Sequence, residues 1–305
     1  MADSTAPASA FIVLPDTQFY SCYYEEIFQK QTTWIVNNRS ALGVALVLHV
    51  GDIVDSDQSD QWDVASEALH RLDGRVPYLL VTGNHDLNAE RESLLNDYFT
   101  REDLEKNARV KLSFKEPGHI ENAYALVELR GSPWLFIGIE FAPRDETLEW
   151  ANRVLRENSE IPAVVFTHAY LYSDNTRFDR EIEPLQPSHP DSYQVTPDQG
   201  IADGQDVWER LVEPNENVRL VLCGHVTPDG VARSEALHPS GRVVHEVLAN
   251  YQRCVLCPCH EVEGGGGYLR IYELDKDAES FHVFTYSPFY ESFLNDSDNA
   301  FELRL

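Results

Sequence analysis

Five short segments of this chain deliver a side chain able to bind a divalent cation at the end of an apolar run. Phe11 to Leu14 leads into Asp16-Thr17-Gln18, and Val44 to Val50 leads into Gly51-Asp52-Ile53-Val54-Asp55. Val76 to Thr82 leads into Gly83-Asn84-His85-Asp86, Ala163 to Phe166 into His168, and Val218 to Leu222 into Gly224-His225. Carboxylate and amide oxygens mixed with imidazole nitrogens suit Mn²⁺, Fe²⁺, Zn²⁺ or Mg²⁺ and do not choose between them. Gly-Asp and Asn-His pairs are common in loops, so each segment alone is a weak signal. Their order and spacing make the specific constellation.

The apolar runs must place these groups. Unbroken Val/Leu runs suit strands buried on both faces, as in a parallel sheet. Between the second and third runs, Trp62, Ala65, Leu69 and Leu72 recur at helical spacing. The unit therefore reads strand–helix–strand, with its polar signals on one sheet edge. Carboxyl ends of parallel strands are where α/β proteins carry their chemistry. A helix is expected over Glu25 to Asn37, another over Ala89 to Phe99, and a third over Asp145 to Leu155. Phe19 to Tyr24 reads as an aromatic loop and Thr100 to His119 as a charged surface excursion. Gly131-Ser132-Pro133 signals a hairpin joining Asn122–Leu129 to Trp134–Glu140. Ala169 to Gly200 is a long Pro/Asp/Ser-rich loop, a length that is usually functional or mobile. Asp203 to Val212 reads as a short helix. Val231–Leu237, Val243–Tyr251, Tyr268–Leu274 and Phe281–Tyr286 read as a closing antiparallel set. Four glycines, Gly264 to Gly267, form a turn without the Lys-Ser/Thr of a nucleotide loop. No repeat or linker interrupts the chain, so residues 11–305 read as one domain after a disordered or processed start over 1–10.

The GDIVD and GNHD segments resemble the core motifs of the calcineurin-like metallophosphoesterases, and the resemblance runs from about Phe11 to Pro288. Tyr251-Gln252, the glycine run before Tyr268-Leu269-Arg270 and Thr285-Tyr286-Ser287-Pro288 look like one bacterial branch of that family. The resemblance implies a four-layer α-β-β-α sandwich of two mixed sheets. It also implies hydrolysis of P–O ester bonds in a small phosphorylated molecule, a phosphomonoester or a phosphodiester. The attacking hydroxide would bridge two divalent ions about 4 Å apart. Asp52 matches the family's bridging ligand, Asp16 the first ion's carboxylate, and Asn84, His168 and His225 the ligands of the second ion. His85 matches the proton donor to the leaving oxygen, with Asp86 orienting its imidazole.

Two positions depart from the family. Asp16-Thr17-Gln18 stands where Asp-x-His is usual, and Gly224-His225-Val226-Thr227 where Gly-His-x-His is usual. Both absent histidines belong to the first ion. Gln18 still offers a carbonyl oxygen, whereas Thr227 is a poor ligand, so the first ion is expected to bind more weakly. His238 or His245, flanking a later turn, is a candidate replacement. The same departures support the rival reading, a degenerate scaffold acting as a binding protein. Asp55 stands where the purple acid phosphatases place tyrosine. Among the other histidines, His49 reads as packed behind the site and His70 as surface, while His119, His189 and His282 lack supporting neighbours.

Composition bounds the partners. The 305 residues carry 51 acidic against 24 basic side chains, a formal charge of −27. A duplex-binding protein needs a basic footprint, and this chain supplies none. An anionic lipid surface is disfavoured likewise, and no run approaches the length of a membrane span. The first ten residues lack the apolar stretch of a signal peptide. The expectation is a soluble protein, either cytoplasmic or a mature secreted form, with its oligomeric state left open. Cys22 and Cys223 stand alone, whereas Cys254, Cys257, Cys259 and His260 cluster within seven residues. A local disulfide, a zinc site and free thiols are all open there.

Overall fold

The computed structural model describes residues 9–107, 110–182, 184–193, 200–227, 230–252 and 264–305. The cysteine cluster and residues 1–8 lie outside them. Ser9 and Ala10, expected within an unstructured start, are buried, and Ala10 opens the first strand.

In chain order, β1 (Ala10–Leu14) is followed by α1 (Gln18–Cys22), α2 (Glu25–Leu42), β2 (Val44–His49), α3 (Ser59–Leu69) and β3 (Tyr78–Leu80). Next come α4 (Leu95–Tyr98), α5 (Arg101–Glu105), β4 (Lys111–Phe114), β5 (Ala123–Leu129), β6 (Ser132–Gly138) and α6 (Asp145–Glu157). The chain continues through β7 (Ala163–Phe166), α7 (Gly204–Val207), β8 (Val218–Cys223), β9 (Val231–Leu237) and β10 (Val243–Ala249). It closes with β11 (Leu269–Leu274), β12 (Ser280–Ser287), β13 (Ser292–Leu294) and β14 (Ala300–Arg304).

Two mixed sheets result. One runs β13-β12-β11-β1-β2-β3, with β14 also on β12; the other runs β4-β5-β6-β7-β8-β10-β9. Period-two alternation assigns the faces of the second sheet. Phe136, Val164, Phe166, Leu220 and Leu222 turn toward the first sheet and share its core. Leu135, Ile137, Val165, Val221 and Cys223 turn outward and pack with Leu148, Ala151 and Leu155 of α6. Between the sheets, Phe11 meets Phe136 edge-on at 5.0 Å, and Trp134 meets Phe281 at 5.1 Å. On the far side, α2 and α3 bury Ile27, Phe28, Ile35, Trp62, Ala65 and Leu69. The order of layers is helix, sheet, sheet, helix, as the resemblance implied.

Several local expectations differ. The helix α2 runs on to Leu42, where Gly43 ends it in a left-handed conformation (φ 61°) that costs glycine little. The aromatic segment after Asp16 is helical in α1 rather than a loop. Only Leu95–Tyr98 of the segment expected as Ala89–Phe99 is helical. Asn88 Oδ1 accepts from the backbone N–H of Glu90 and Glu92, and Arg91 takes φ 63°, which holds that stretch in turns. The charged excursion after Thr100 contains α5, capped reciprocally by Thr100 and Asp103, and the edge strand β4. The four late strands are not one antiparallel set. The pair β9–β10 joins the second sheet, β10 running parallel to β8, while β11 and β12 join the first.

Candidate metal centre

The parallel pairings β1–β2–β3 and β6–β7–β8–β10 bring their carboxyl ends to one rim, where the two sheets abut. Cross-sheet hydrogen bonds fasten that rim. The His225 N–H donates to Asp16 Oδ1 (2.9 Å), His168 Nδ1 to the Val50 carbonyl (2.8 Å), and the Phe141 N–H to the Thr82 carbonyl (3.1 Å). Asp16, Asp52 and His225 turn their side chains inward through left-handed backbone, with φ of 39°, 51° and 80°. Each such residue costs about 1–3 kcal/mol, a cost that persists at sites where the surrounding structure enforces it. Glycines make room for the carboxylates. A Cβ on Gly83 would lie 2.1 Å from Asp52 Oδ1, and one on Gly224 would lie 2.2 Å from Asp16 Oδ2.

Four donor atoms converge at the centre. His168 Nε2 lies 3.2 Å from Asp52 Oδ1, 3.1 Å from Asn84 Oδ1 and 3.0 Å from His225 Nδ1. Ligands sharing one ion at about 2.0–2.2 Å stand about 3.0–3.5 Å from one another. Tautomers agree with that use. Nδ1 of His168 donates to the Val50 carbonyl and Nε2 of His225 to the Ser188 carbonyl (2.8 Å). The other two ring nitrogens, one from each histidine, therefore face each other as lone pairs, an arrangement that needs a cation or a proton between them. Asp52, His168 and His225 are all buried, and their ligand atoms lie within 4.8 Å of one another.

The side where the resemblance places a first ion is poorer in candidate ligands. Asp16 Oδ2 and Gln18 Oε1 are buried without a hydrogen-bond partner among the described residues. Gln18 Nε2 donates to Asp52 Oδ2 (3.1 Å). Unpaired buried oxygens are costly, and two beside a carboxylate fit a hard cation. Thr227 is half-buried, with no hydrogen bond to this cluster. His238 and His245 do not fill the gap. The first ring bonds Ser240 and the Glu213 carbonyl; the second bonds the Arg304 carbonyl through Nε2 and sits opposite Leu220, at the other end of β10 from the rim.

Electrostatics follow the crowding. Burial pushes the Asp52 carboxyl up, but the charge and hydrogen bond of His168 outweigh it and hold Asp52 well below the usual carboxylate range. Burial pulls His168 down, yet the Asp52 charge prevails and lifts it to about 9. Burial and then the His168 charge depress His225 to about 3. Asp16 is raised well above its ordinary value, chiefly by burial, with the Asp52 charge adding to it. A bound cation would reverse that last penalty.

The remaining motif residues divide. The His85 ring stands at the rim, its side chain 38% exposed, with Nδ1 bonded to the Asp55 carbonyl at 2.7 Å. Its backbone N–H donates to Asp52 Oδ1 (3.0 Å). Asp86 does not orient that ring. Its carboxylate accepts from the N–H groups of Ile53 (2.8 Å), Val54 (3.0 Å) and Gly83 (2.7 Å), tying the GDIVD turn to the GNHD turn. Burial and the Asp52 charge push Asp86 up to about 7. His49 is packed behind the site as expected, bonded to Thr17 Oγ1 (2.9 Å) and the Gly51 N–H (3.2 Å). His70 is half-buried rather than surface, held by Asp73 and the Tyr98 carbonyl.

Other neighbours escaped the sequence. Ser188, in the long loop at φ 62°, sets the His225 ring. Tyr193 meets that ring at 5.5 Å and Phe141 at 5.7 Å, and Phe141 also packs edge-on against His168. Asn250 Nδ2 donates to Asp16 Oδ1 (3.0 Å). Asn250 alone had a legible signal, a polar residue ending an apolar run.

Comparison with known proteins adds four findings. The family described as calcineurin-like phosphoesterase matches residues 10–228. The uncharacterized protein YvnB of Bacillus subtilis (strain 168) is 31% identical over 301 residues, 94% of this chain and 21% of its own. The chain thus spans about a fifth of that relative's length. Among solved structures, GAP50, the anchor in the inner membrane complex of Plasmodium, is 13% identical with a TM-score of 0.48, over 97% of this chain and 89% of that one. A protein serine/threonine phosphatase from Saccharomyces cerevisiae is 14% identical with a TM-score of 0.29, over 98% of this chain and 80% of that one. Likenesses that distant carry no weight beside the family match.

Proposed function

The chain belongs to the calcineurin-like phosphoesterase family, and from that premise we propose a metal-dependent hydrolase of P–O ester bonds in a small phosphorylated molecule. One observation carries the reading: two histidines, each fixed by a backbone carbonyl, aim their free nitrogens at the point shared by Asp52 and Asn84.

Asp52, Asn84, His168 and His225 would hold one divalent ion, and Asp16, Gln18 and Asp52 the other. When bound, the ions supply Lewis acidity toward phosphoryl oxygens and lower the pKa of water. The protein's own groups do the rest. Asp86 locks the turns that carry Asp52 and His85. Burial works against a proton on His85, but the Asp52 charge and the Asp55 carbonyl overcome it and raise the ring above its ordinary value. With Nδ1 donating to Asp55, a proton on Nε2 is available to the departing ester oxygen. Phe141 and Tyr193 pack their rings against the far side of the histidine pair.

The binding-protein alternative rests on Gln18 and Thr227. The orphaned oxygens of Asp16 and Gln18 speak against it, because decay would leave no reason to keep them buried. A chromogenic phosphomonoester and phosphodiester screen, with and without added Mn²⁺, tests the proposal. Metal-stimulated turnover is expected, and none on any ester would overturn it.

A further inference from the structure

The parallel pairing of β10 with β8 gives the rim a strand end that the sequence motifs do not name. Asn250 sits there, buried. Its Oδ1 accepts from the Gln252 N–H at 2.8 Å, which fixes the amide so that Nδ2 faces Asp16. Asp16 Oδ1 is then saturated, by Asn250 Nδ2 at 3.0 Å and the His225 N–H at 2.9 Å. Oδ2 is left as the oxygen of that carboxylate without a hydrogen-bond partner among the described residues.

The strand end is itself gripped. Arg270, fully buried, donates to the Leu248 carbonyl (3.1 Å), the Tyr251 hydroxyl (2.8 Å) and the Asp298 carbonyl (2.8 Å). It thereby holds the residues on both sides of Asn250. The Asn250 N–H donates to the Gly230 carbonyl at 2.6 Å, and a Cβ on Gly230 would lie 1.9 Å from the Asn250 carbonyl oxygen. A buried arginine and a backbone approach only glycine permits are both spent on one asparagine.

We propose that Asn250 is a positioning residue for the first-ion site, holding Asp16 so that Oδ2 alone is presented to the ion. The inference rests on the metal-dependent reading above. With Gln18 and Thr227 in place of two imidazoles, the direction of the Asp16 carboxylate matters more, and Asn250 sets it. Groups that orient a metal ligand are worth about 10–100-fold in metal affinity.

The test is calorimetric titration of Mn²⁺ into the chelator-stripped full chain. The unmodified protein is expected to take up two ions, one tightly and one weakly. Asn250→Ala should weaken the weaker step about 10–100-fold, leave the tighter step within about twofold, and leave the thermal midpoint of the metal-free protein little changed. Asn250→Ser keeps an acceptor for the Gln252 N–H but is too short to reach Asp16, and should behave alike. Two unchanged steps in both variants would overturn the role of Asn250 alone. So would equal weakening of both steps, or failure of both variants to fold without metal, since each marks a structural role. An unmodified protein that binds no Mn²⁺ would overturn the metal-dependent reading and this inference together.

Discussion

His85 is the motif residue with its ring at the solvent edge, and its Nδ1 is already committed to the Asp55 carbonyl. Its contribution should scale with how badly the departing oxygen leaves, about a hundredfold or more for a poor leaving group. His85→Ala should therefore damage alkyl esters far more than nitrophenyl esters. Equal loss on both, in parallel steady-state assays, would assign the ring to substrate binding instead. His168 makes a second prediction. Its pKa of about 9 in the metal-free protein means that the ion must displace a proton below that pH. Affinity at the tight site should rise about tenfold per pH unit toward pH 9 and level off above it, measured by Mn²⁺ titration at several pH values. A flat profile would contradict the protonated His168. The five candidate positions were legible in the sequence because each ends an apolar run. The role of Asp86 was not, because its partners are backbone N–H groups from a turn some thirty residues away. Nor were Ser188 and Tyr193, which reach His225 from a loop without periodicity.

Among elements, the turns after β2 and β3 work as one unit, joined by Asp86 and by the close approach of Gly83 to Asp52. Gly83→Ala would place a methyl 2.1 Å from Asp52 Oδ1 and 2.3 Å from its backbone nitrogen, so one turn must move. The expected outcome is Mn²⁺ affinity lowered about 10–100-fold at both sites, with the circular dichroism of the folded chain retained. Unaltered affinity would mean that the turns are slack. The strands and helices around these turns were legible from apolar runs and helical spacing. The partnership of β10 was not, since a strand's own pattern does not say whether its neighbour runs parallel or antiparallel. Reading β10 as antiparallel put Asn250 away from the rim, although its place at the end of an apolar run was legible. The short helix α4 was overread, because the Asn88 side chain and the left-handed Arg91 divert the backbone from a helix its residues would otherwise accept.

For the whole molecule, a formal charge of −27 sets a self-repulsion that salt screens. The screening length falls from about 30 Å at 0.01 M to about 3 Å at 1 M. The thermal midpoint of the metal-free chain should rise across that range, and a flat or falling midpoint by scanning calorimetry would mean that the acidic side chains lie too far apart to repel. No helix among the described residues is long and apolar enough to cross a membrane. The layered architecture was legible through the family resemblance rather than through composition, which gives charge but not topology. What the two sheets accomplish together is to bring Asp16, Asp52, Asn84, His168 and His225 from five strand ends to one rim. Turnover of bis(p-nitrophenyl) phosphate by chelator-stripped protein reloaded with Mn²⁺, compared between the unmodified chain and Asp52→Asn, tests that claim most directly. The account predicts activity that appears only with metal and falls about a hundredfold or more in the variant, the scale on which one group stabilising transition-state charge is lost. Unmodified-level turnover by Asp52→Asn, or equal turnover with the metal removed, would contradict it.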